Sequence, residues 1–426
     1  MLLSILRSLP QNPLRRKWTP LSFTNPKYGI VLPHQKIEEE TIPGYVASRY
    51  YPTRIGEVLK DRYQVIGKLG FGLTSTVWLA RDMDYRTYVT LKIFVDSASM
   101  GKNIDDELQI YERIQNSSKF TGIWPWRHPG RDAIRSLVDC FDIDGDGAEH
   151  KHRCLVHPPL FESVWDFLHR NPIQRLPAPI LAVTLKRLFQ ALDYLHSECR
   201  VIHTDLSATN ILFTYMDDTS YKQLEQEELH SPSPRKEIDG KRSIYLSREL
   251  QFQPDKMGAP VLVDFGSAVP GDMQHTEDVQ PNQYRAPEVI LEIPWSYEID
   301  IWNAGCMIWN IFQGGSAFSG HDAEFNSYRS RAHLADMINL LGPPPASLLS
   351  RGRRAGKFFT ESGEFRDKWL LKGITPLEER QTGLDGDRED KELFLRFMRK
   401  MLRWEPGERA TAGELVGDEW VVKHSS

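Results

Sequence analysis

Three short stretches of this chain carry side chains suited to phosphate and a hard metal ion. The first is a glycine turn, Leu69-Gly70-Phe71-Gly72-Leu73-Thr74-Ser75-Thr76-Val77. Glycines between two strands let the backbone approach phosphate oxygens with no Cβ in the way. The second is Val201-Ile202-His203-Thr204-Asp205-Leu206-Ser207-Ala208-Thr209-Asn210-Ile211-Leu212, which sets an aspartate and an asparagine five residues apart on one loop between apolar runs. The third, Val261-Leu262-Val263-Asp264-Phe265-Gly266, is an apolar strand running into an exposed carboxylate. A hard oxygen ligand there can bridge Mg²⁺ between nucleotide phosphates. Two charges stand apart from these stretches. Lys92 closes a strand twenty residues after Gly72, and Glu107 lies on the next helix with an apolar residue on either side of its turn. Taken singly, each has a plainer reading: a tight turn, a strand lysine with its stem along apolar surface, an exposed helix charge.

Such residues need elements to hold them. Tyr63-Gln64-Val65-Ile66 and Thr76-Val77-Trp78-Leu79-Ala80 read as strands flanking the glycine turn, and Tyr88 to Phe94 as a third. Ile104, Leu108 and Tyr111 have helical spacing over 104–114. Strand-like runs at Leu137-Val138 and Cys154-Leu155-Val156 complete a small sheet-rich lobe. After Leu160 the chain turns mainly helical. Ile180 to His196 carries apolar residues at helical spacing, and Ile299 to Phe312 is apolar almost all round, as a buried helix is. Residues 1–50 are polar and interrupted by proline, with acids at Glu38, Glu39 and Glu40, and read as an extended lead-in. Tyr215 to Met257 is charged and without periodicity, includes Ser231-Pro232-Ser233-Pro234-Arg235-Lys236, and reads as an inserted mobile loop.

The 426 residues, 40% hydrophobic and 26% charged, suffice for two domains. A net charge of −5 argues against non-specific nucleic-acid binding and leaves room for a basic protein substrate. Cys140, Cys154, Cys199 and Cys306 form no CxxC, so neither a zinc site nor a disulfide framework is expected and a reducing compartment is preferred. No apolar run approaches the ~18–20 residues of a membrane span. The start of the chain carries Arg7, Arg15, Arg16, Lys17 and Lys27 before its first acid, Glu38. A mitochondrial targeting segment is one reading; a disordered basic arm broken by Pro10 and Pro13 ranks above it. Asp142-Ile143-Asp144-Gly145-Asp146-Gly147 imitates half a calcium loop, but Arg153 stands where a glutamate is required, so a hairpin turn is expected. The acids Asp385, Asp387, Glu389, Asp390 and Glu392 read as a helix N-terminus. The histidines have no ligand spacing, and no structural metal is expected.

In their order and spacing these stretches, followed by Gln283-Tyr284-Arg285-Ala286-Pro287-Glu288 and Arg409, resemble the eukaryotic protein kinases. The resemblance implies an α+β, bilobal protein kinase fold: a small antiparallel-sheet N-lobe with one main helix over 51–157, and a larger, mainly helical C-lobe over 158–426 carrying the 215–257 insert. Residues 1–50 would be extended and partly disordered. ATP and Mg²⁺ are the implied cofactors. Lys92 would position the phosphates and Glu107 would hold Lys92, while Asp205 accepts or orients the proton of a substrate hydroxyl. Asn210 and Asp264 would bind the metal, and Arg409 would be the buried partner of Glu288. ATP would sit between Leu69–Val77 above and Leu212 below. Thr90 replaces the small alanine usual above the adenine ring. In the linker Val156-His157-Pro158-Pro159-Leu160 the prolines supply no N–H, so the Pro158 carbonyl and the Leu160 N–H would face adenine.

Within the kinases, residues 40 to 421 resemble the SR-protein kinases, in a shortened form common among fungal sequences. The marks are Tyr50-Tyr51-Pro52 with Arg54-Ile55-Gly56, the Leu69–Leu79 stretch, His203-Thr204-Asp205, the insert before Asp264, and Thr276-Glu277-Asp278-Val279-Gln280. That family phosphorylates serines in arginine/serine-rich tails of splicing factors. The expectation is therefore a monomeric serine/threonine kinase of the cytoplasm or nucleus that acts on such proteins and has no direct nucleic-acid or membrane partner. Most kinases have arginine at Thr204 and use it to grip a phosphorylated activation loop; without that cation, activity independent of such phosphorylation is expected. The chain departs from the pattern at Ser75 (usually glycine), at Phe265 (commonly leucine in SR-protein kinases) and at Ser207, where lysine usually neutralises the transferring phosphoryl group. Ala286-Pro287 is closer to kinases in general, and Thr209 supplies no cation. Ser207 and Pro158-Pro159 support the alternative, a pseudokinase scaffold that binds nucleotide with little or no transfer.

Overall fold

The computed structural model describes residues 16–96, 103–117, 127–145, 150–172, 174–238, 240, 242–251, 253–384 and 386–425. The basic arm up to Arg15, the Asp146-Gly147 part of the expected hairpin turn and Asp385 lie outside the described residues. Contacts divide the chain into two units. One gathers Met1–Tyr111, Arg135–Glu162 and Phe213–Gly258; the other gathers Glu112–Ile134, Ser163–Leu212 and Ala259–Ser426.

The first unit is built on a six-stranded antiparallel sheet in the order β1-β2-β3-β4-β6-β5. Its strands are β1 (Val58–Leu59), β2 (Tyr63–Phe71), β3 (Ser75–Asp82), β4 (Thr87–Phe94), β5 (Asp139–Asp144) and β6 (Lys151–His157). Period-two alternation sends Tyr63, Val65, Trp78, Ala80, Val89, Leu91 and Ile93 into one core, and Ile66, Leu79 and Tyr88 into another on the opposite face. β5 and β6 form the expected hairpin, with Asp144 opposite Lys151, and Arg153 pairs with Asp142 at 2.5 Å.

Both cores are closed by segments that the sequence reading leaves as loops. The insert contains a helix, Thr219–His230, and a hairpin of Arg235–Ile238 with Arg242–Tyr245. Tyr221 and Leu224 of the helix cover one face of the sheet, and Tyr245 of the hairpin covers the other. Contacts place the insert with the first unit, whereas the sequence reading puts it in the second. Its charges are used rather than solvated: Glu228 takes Arg248 at 2.7 Å, and Glu225 takes Arg81 at 3.2 Å. From residue 16 onward the extended lead-in is docked on the first unit. Trp18 packs edge-on to Tyr88, Leu21 and Gln64 exchange hydrogen bonds, and Glu40 pairs with Lys236 at 2.8 Å.

The second unit is mainly helical. The helix Ala178–Tyr194 is so closely approached by Gly130 that a Cβ there would lie 1.7 Å from the Gln190 carbonyl oxygen. The helix Glu298–Gln313 is buried along nearly its whole length and ends at Gly314 with φ 76°. Asp387 caps the helix Arg388–Met401 by accepting from the Asp390 N–H, as the acidic run suggests. Among the described residues no helix is long and apolar enough to cross a membrane. Glu288 and Arg409 form the expected pair: Nη1 to Oε1 is 2.5 Å and Nη2 to Oε2 is 2.8 Å, with neither side chain exposed. Arg409 also donates to the Glu298 carbonyl at 2.9 Å. Replacing Arg409 with methionine strands a buried carboxylate. The expected result is a loss of about 3–5 kcal/mol, read as a clear fall in melting temperature; an unchanged melt would rule out this pair as a strut of the unit.

Candidate active site

In the first unit the glycine turn is the tip of the β2–β3 ladder, with Gly70 opposite Val77 and Phe71 opposite Thr76. Gly72 N–H donates to the Ser75 carbonyl at 2.8 Å, and Val95 N–H donates to the Thr74 carbonyl at 2.9 Å. Among the described residues, chain neighbours aside, no atom lies within 4 Å of a Cβ built on Gly70, so that glycine keeps space open rather than relieving a clash. Leu69 and Val77 are half-buried, Leu73 is exposed, and Ser75 is buried in the place of the usual third glycine. Lys92 sits opposite Val77 and holds both oxygens of Glu107, at 3.1 and 3.0 Å. Thr90 lies two residues before Lys92 and shares its face of the sheet. Its Oγ1 is buried with no hydrogen-bond partner among the described residues. A buried hydroxyl without a partner fits a polar edge supplied by a ligand. In the linker, the Pro158 carbonyl accepts from Arg135 Nη2 at 3.4 Å and keeps one lone pair, the Pro159 carbonyl accepts from the Tyr221 hydroxyl at 3.2 Å, and Leu160 is buried.

In the second unit Asp205, Asn210 and Asp264 are brought together. Asn210 Nδ2 donates to the Asp205 carbonyl at 2.8 Å and to Asp205 Oδ2 at 3.2 Å, which leaves the Asn210 amide oxygen as an available ligand atom. Val263 N–H donates to the Asn210 carbonyl at 2.9 Å, tying the loop to the strand that delivers Asp264. Asp264 is exposed and has a φ of 62°, a left-handed conformation unusual for a residue with a side chain. Its neighbour Phe265 is fully buried and tilts against His203 at 5.4 Å. Asp205 is half-buried; burial chiefly, with help from the nearby Asp264 charge, raises its carboxyl above the ordinary value, against the opposing pull of His203 and Asn210. Leu212 is half-buried and bridges to Ser163. Among the described residues no cluster of His, Cys, Asp and Glu forms a ready metal cage. Two hard oxygen donors, the Asn210 amide and the Asp264 carboxylate, would suit Mg²⁺, which keeps waters among its other ligands.

The family model for the protein kinase domain matches residues 63–421. The chain belongs to the protein kinase family. It is similar to a serine/threonine protein kinase of Aspergillus fumigatus, 37% identical over 91% of both chains. It is similar at 29% to the serine/threonine-protein kinase SRPK of Physarum polycephalum, over 90% of this chain and 92% of that one, and at 22% to human SRSF protein kinase 3, over 90% of each. A crystal structure of a kinase domain superposes with a TM-score of 0.64 at 22% identity, covering 88% of this chain and 99% of that one. The protein is a serine/threonine kinase.

The kinase catalytic loop is hung from residues that the sequence reading passed over. Asp300, wholly buried, accepts from the His203 N–H at 2.8 Å, from the Thr204 N–H at 2.9 Å and from His196 Nε2 at 2.9 Å. Asn303 donates to the Leu206 carbonyl at 2.6 Å. Both sit inside the helix read as apolar almost all round. A carboxylate and an amide in such a run were the signal, because a buried polar group must find partners. Thr204 is buried at φ 66°, and its hydroxyl donates to the Ser267 carbonyl at 2.7 Å. Ser207 Oγ lies 2.7 Å from Thr209 Oγ1, a contact of two neutral hydroxyls where the usual kinase lysine would bring charge. Asp300→Asn keeps one acceptor but turns an NH₂ toward a backbone donor. We expect kcat to fall by about 10²-fold with the KM for ATP little changed, since misplacement by ~1 Å costs that much. Steady-state kinetics on a variant with a native circular dichroism spectrum checks this, and an unaltered kcat refutes it.

Proposed function

We propose that this kinase transfers phosphate from ATP to serines of arginine/serine-rich proteins such as splicing factors, and that it does so without phosphorylation of its activation segment. Lys92, held by Glu107, would position the phosphates; Asn210 and Asp264 would hold Mg²⁺. Asp205 would accept or orient the proton of the substrate hydroxyl. Bound Mg²⁺ supplies neutralising charge for the phosphate oxygens. The substrate class is supported by two relatives whose names are SRPK and SRSF protein kinase 3. The net charge of −5 and the exposed carboxylates of Glu277 and Asp278 suit an arginine-rich peptide.

The observation that carries phosphorylation independence is the burial of Thr204 with its hydroxyl spent on the Ser267 carbonyl, so that no cation stands there for a phosphate to bind. The segment is instead tied by its own groups. Arg285 reaches Asp278 at 3.0 Å and the Val279 carbonyl at 3.1 Å, Gln280 accepts from the Ala286 N–H and donates to the Ile299 carbonyl, and Trp295 stacks on His275 at 4.7 Å.

The test is transfer of labelled phosphate from Mg²⁺-ATP to an arginine/serine-repeat peptide and to a generic basic peptide. We expect the repeat peptide to be preferred, Asp205→Ala to abolish transfer, and phosphatase treatment or Thr276→Ala to leave the rate within about twofold, since an unreadable phosphate contributes little. Equal use of both peptides removes the substrate class, and loss of activity on dephosphorylation removes the independence. The pH profile gives a second check. Asp205 must be ionised to accept a proton, and burial raises its pKa, so kcat/KM, which reports the free enzyme, falls as pH drops through a value above the ordinary aspartate ~3.9. An acid limb at or below that value would exclude Asp205 as the accepting group.

A further inference from the structure

The tip of the glycine turn is held from outside the sheet. Tyr50, which precedes β1, directs its hydroxyl at two consecutive carbonyl oxygens of the turn, Gly72 at 3.3 Å and Leu73 at 3.2 Å. Tyr50 is only 5% exposed, and its ring packs on Tyr45 with centroids 5.1 Å apart. Its main chain is fixed as well: Arg242 of the insert hairpin donates to the Tyr50 carbonyl at 2.5 Å, and Asp96, just past β4, donates its N–H to the Arg49 carbonyl at 2.7 Å. The turn is gripped a second time at its base. Lys68, fully buried, pairs with Glu39 and, at 3.4 Å, with Glu38, and its ammonium lies over the Phe71 ring, 5.3 Å from the centroid.

The asymmetry between the two bonding partners gives this contact its force. Turn carbonyls that swing outward can be satisfied by water. Tyr50 as a residue is only 5% exposed, so moving the turn takes both acceptors from a hydroxyl that water reaches less easily, at part of the desolvation cost. Burial, aided by the Glu39 charge, raises the phenol above its ordinary value, which keeps it a hydrogen-bond donor at every working pH.

We propose that Tyr50 is a positioning residue for nucleotide binding: its hydroxyl latches the glycine turn, and the insert holds the latch through Arg242. The inference rests on the reading above in which that turn addresses the phosphates of ATP. It gives the N-terminal segment and the insert a task in the reaction, that of setting the phosphate-binding backbone before ATP arrives.

The experiment compares wild type, Tyr50→Phe and Arg242→Met in the full chain. Tyr50→Phe keeps the ring and removes the donor. We expect faster hydrogen exchange at the amides of 70–75 and a KM for ATP raised about fivefold, with kcat changed by less than about twofold, the size of one lost hydrogen bond expressed in binding. Arg242→Met should move both readouts in the same direction, and the double variant by less than the product of the two. Exchange or KM for ATP unchanged in Tyr50→Phe overturns the latch. A wild type that neither binds a fluorescent ATP analogue nor transfers phosphate overturns the nucleotide reading instead, and the exchange rates still decide whether the turn is held by Tyr50.

Discussion

Asp300 has no exposed surface, and its two oxygens are taken by the His203 and Thr204 N–H groups and the His196 ring. A charge removed from water in this way has to be matched, and the matching fixes geometry. The His203 and Thr204 backbone can take only the turn that points both N–H groups at one carboxylate, and Thr204 reaches it at a positive φ. His203, once set, accepts from the Asp205 N–H at 3.3 Å and reaches the Val263 carbonyl at 3.1 Å, so one anchored dipeptide orients both carboxylate-bearing segments of the second unit. The same constraint works elsewhere. Glu288 with Arg409 and Lys92 with Glu107 are each a buried or half-buried pair whose breakage strands a charge.

How far the sequence reveals such a structure depends on whether a residue's partner is near in the chain. The strands around the glycine turn could be read because alternation is local, and they run Tyr63–Phe71, Ser75–Asp82 and Thr87–Phe94, close to the reading. The candidate site residues could be named because their types and spacing are themselves local: Asp205 with Asn210, and Asp264 at the end of an apolar run. What escaped depends on distant partners. The acids Glu38, Glu39 and Glu40 look like a solvated patch, yet they serve Ser247, Lys68 and Lys236, the first and last far along the chain. The insert helix offers only Tyr221 and Leu224 to a core, too few to announce amphipathicity until a sheet is there to receive them. Asp300 escaped for the opposite reason: the strong apolar period around it concealed one polar exception.

The N-terminal segment and the insert illustrate what polar composition can build. A six-stranded sheet has two faces, and a small unit needs both covered. Here the second covering comes from segments rich in charge, which lose little by burial because Lys236, Arg81, Arg248 and Lys68 meet carboxylates as they dock. Ser233, in the Ser-Pro-Ser-Pro run, is likewise buried, with its hydroxyl donating to Glu228 at 2.7 Å and accepting from Arg248 at 2.8 Å. Such a covering is specific rather than greasy. Each pair fits one register, so the segments dock in one place.

Thr204 and Ser207 change the electrostatics of the catalytic loop together. Both positions usually carry a cation in kinases, and here both carry a neutral hydroxyl. At Thr204 the hydroxyl becomes structural, since its bond to the Ser267 carbonyl ties the loop to the start of the activation segment without any phosphate. At Ser207 the hydroxyl contacts only another hydroxyl, Thr209, and brings no charge to a transferring phosphoryl group. The two substitutions therefore act at different steps. Under the function proposed above, one would relieve the activation segment of its need for a modification, and the other would leave charge neutralisation to the remaining candidate groups, Lys92 among them. With fewer fixed cations to share that load, placement of the phosphates by backbone N–H groups would matter more, and that is the task a rigid glycine turn would serve under the proposed function.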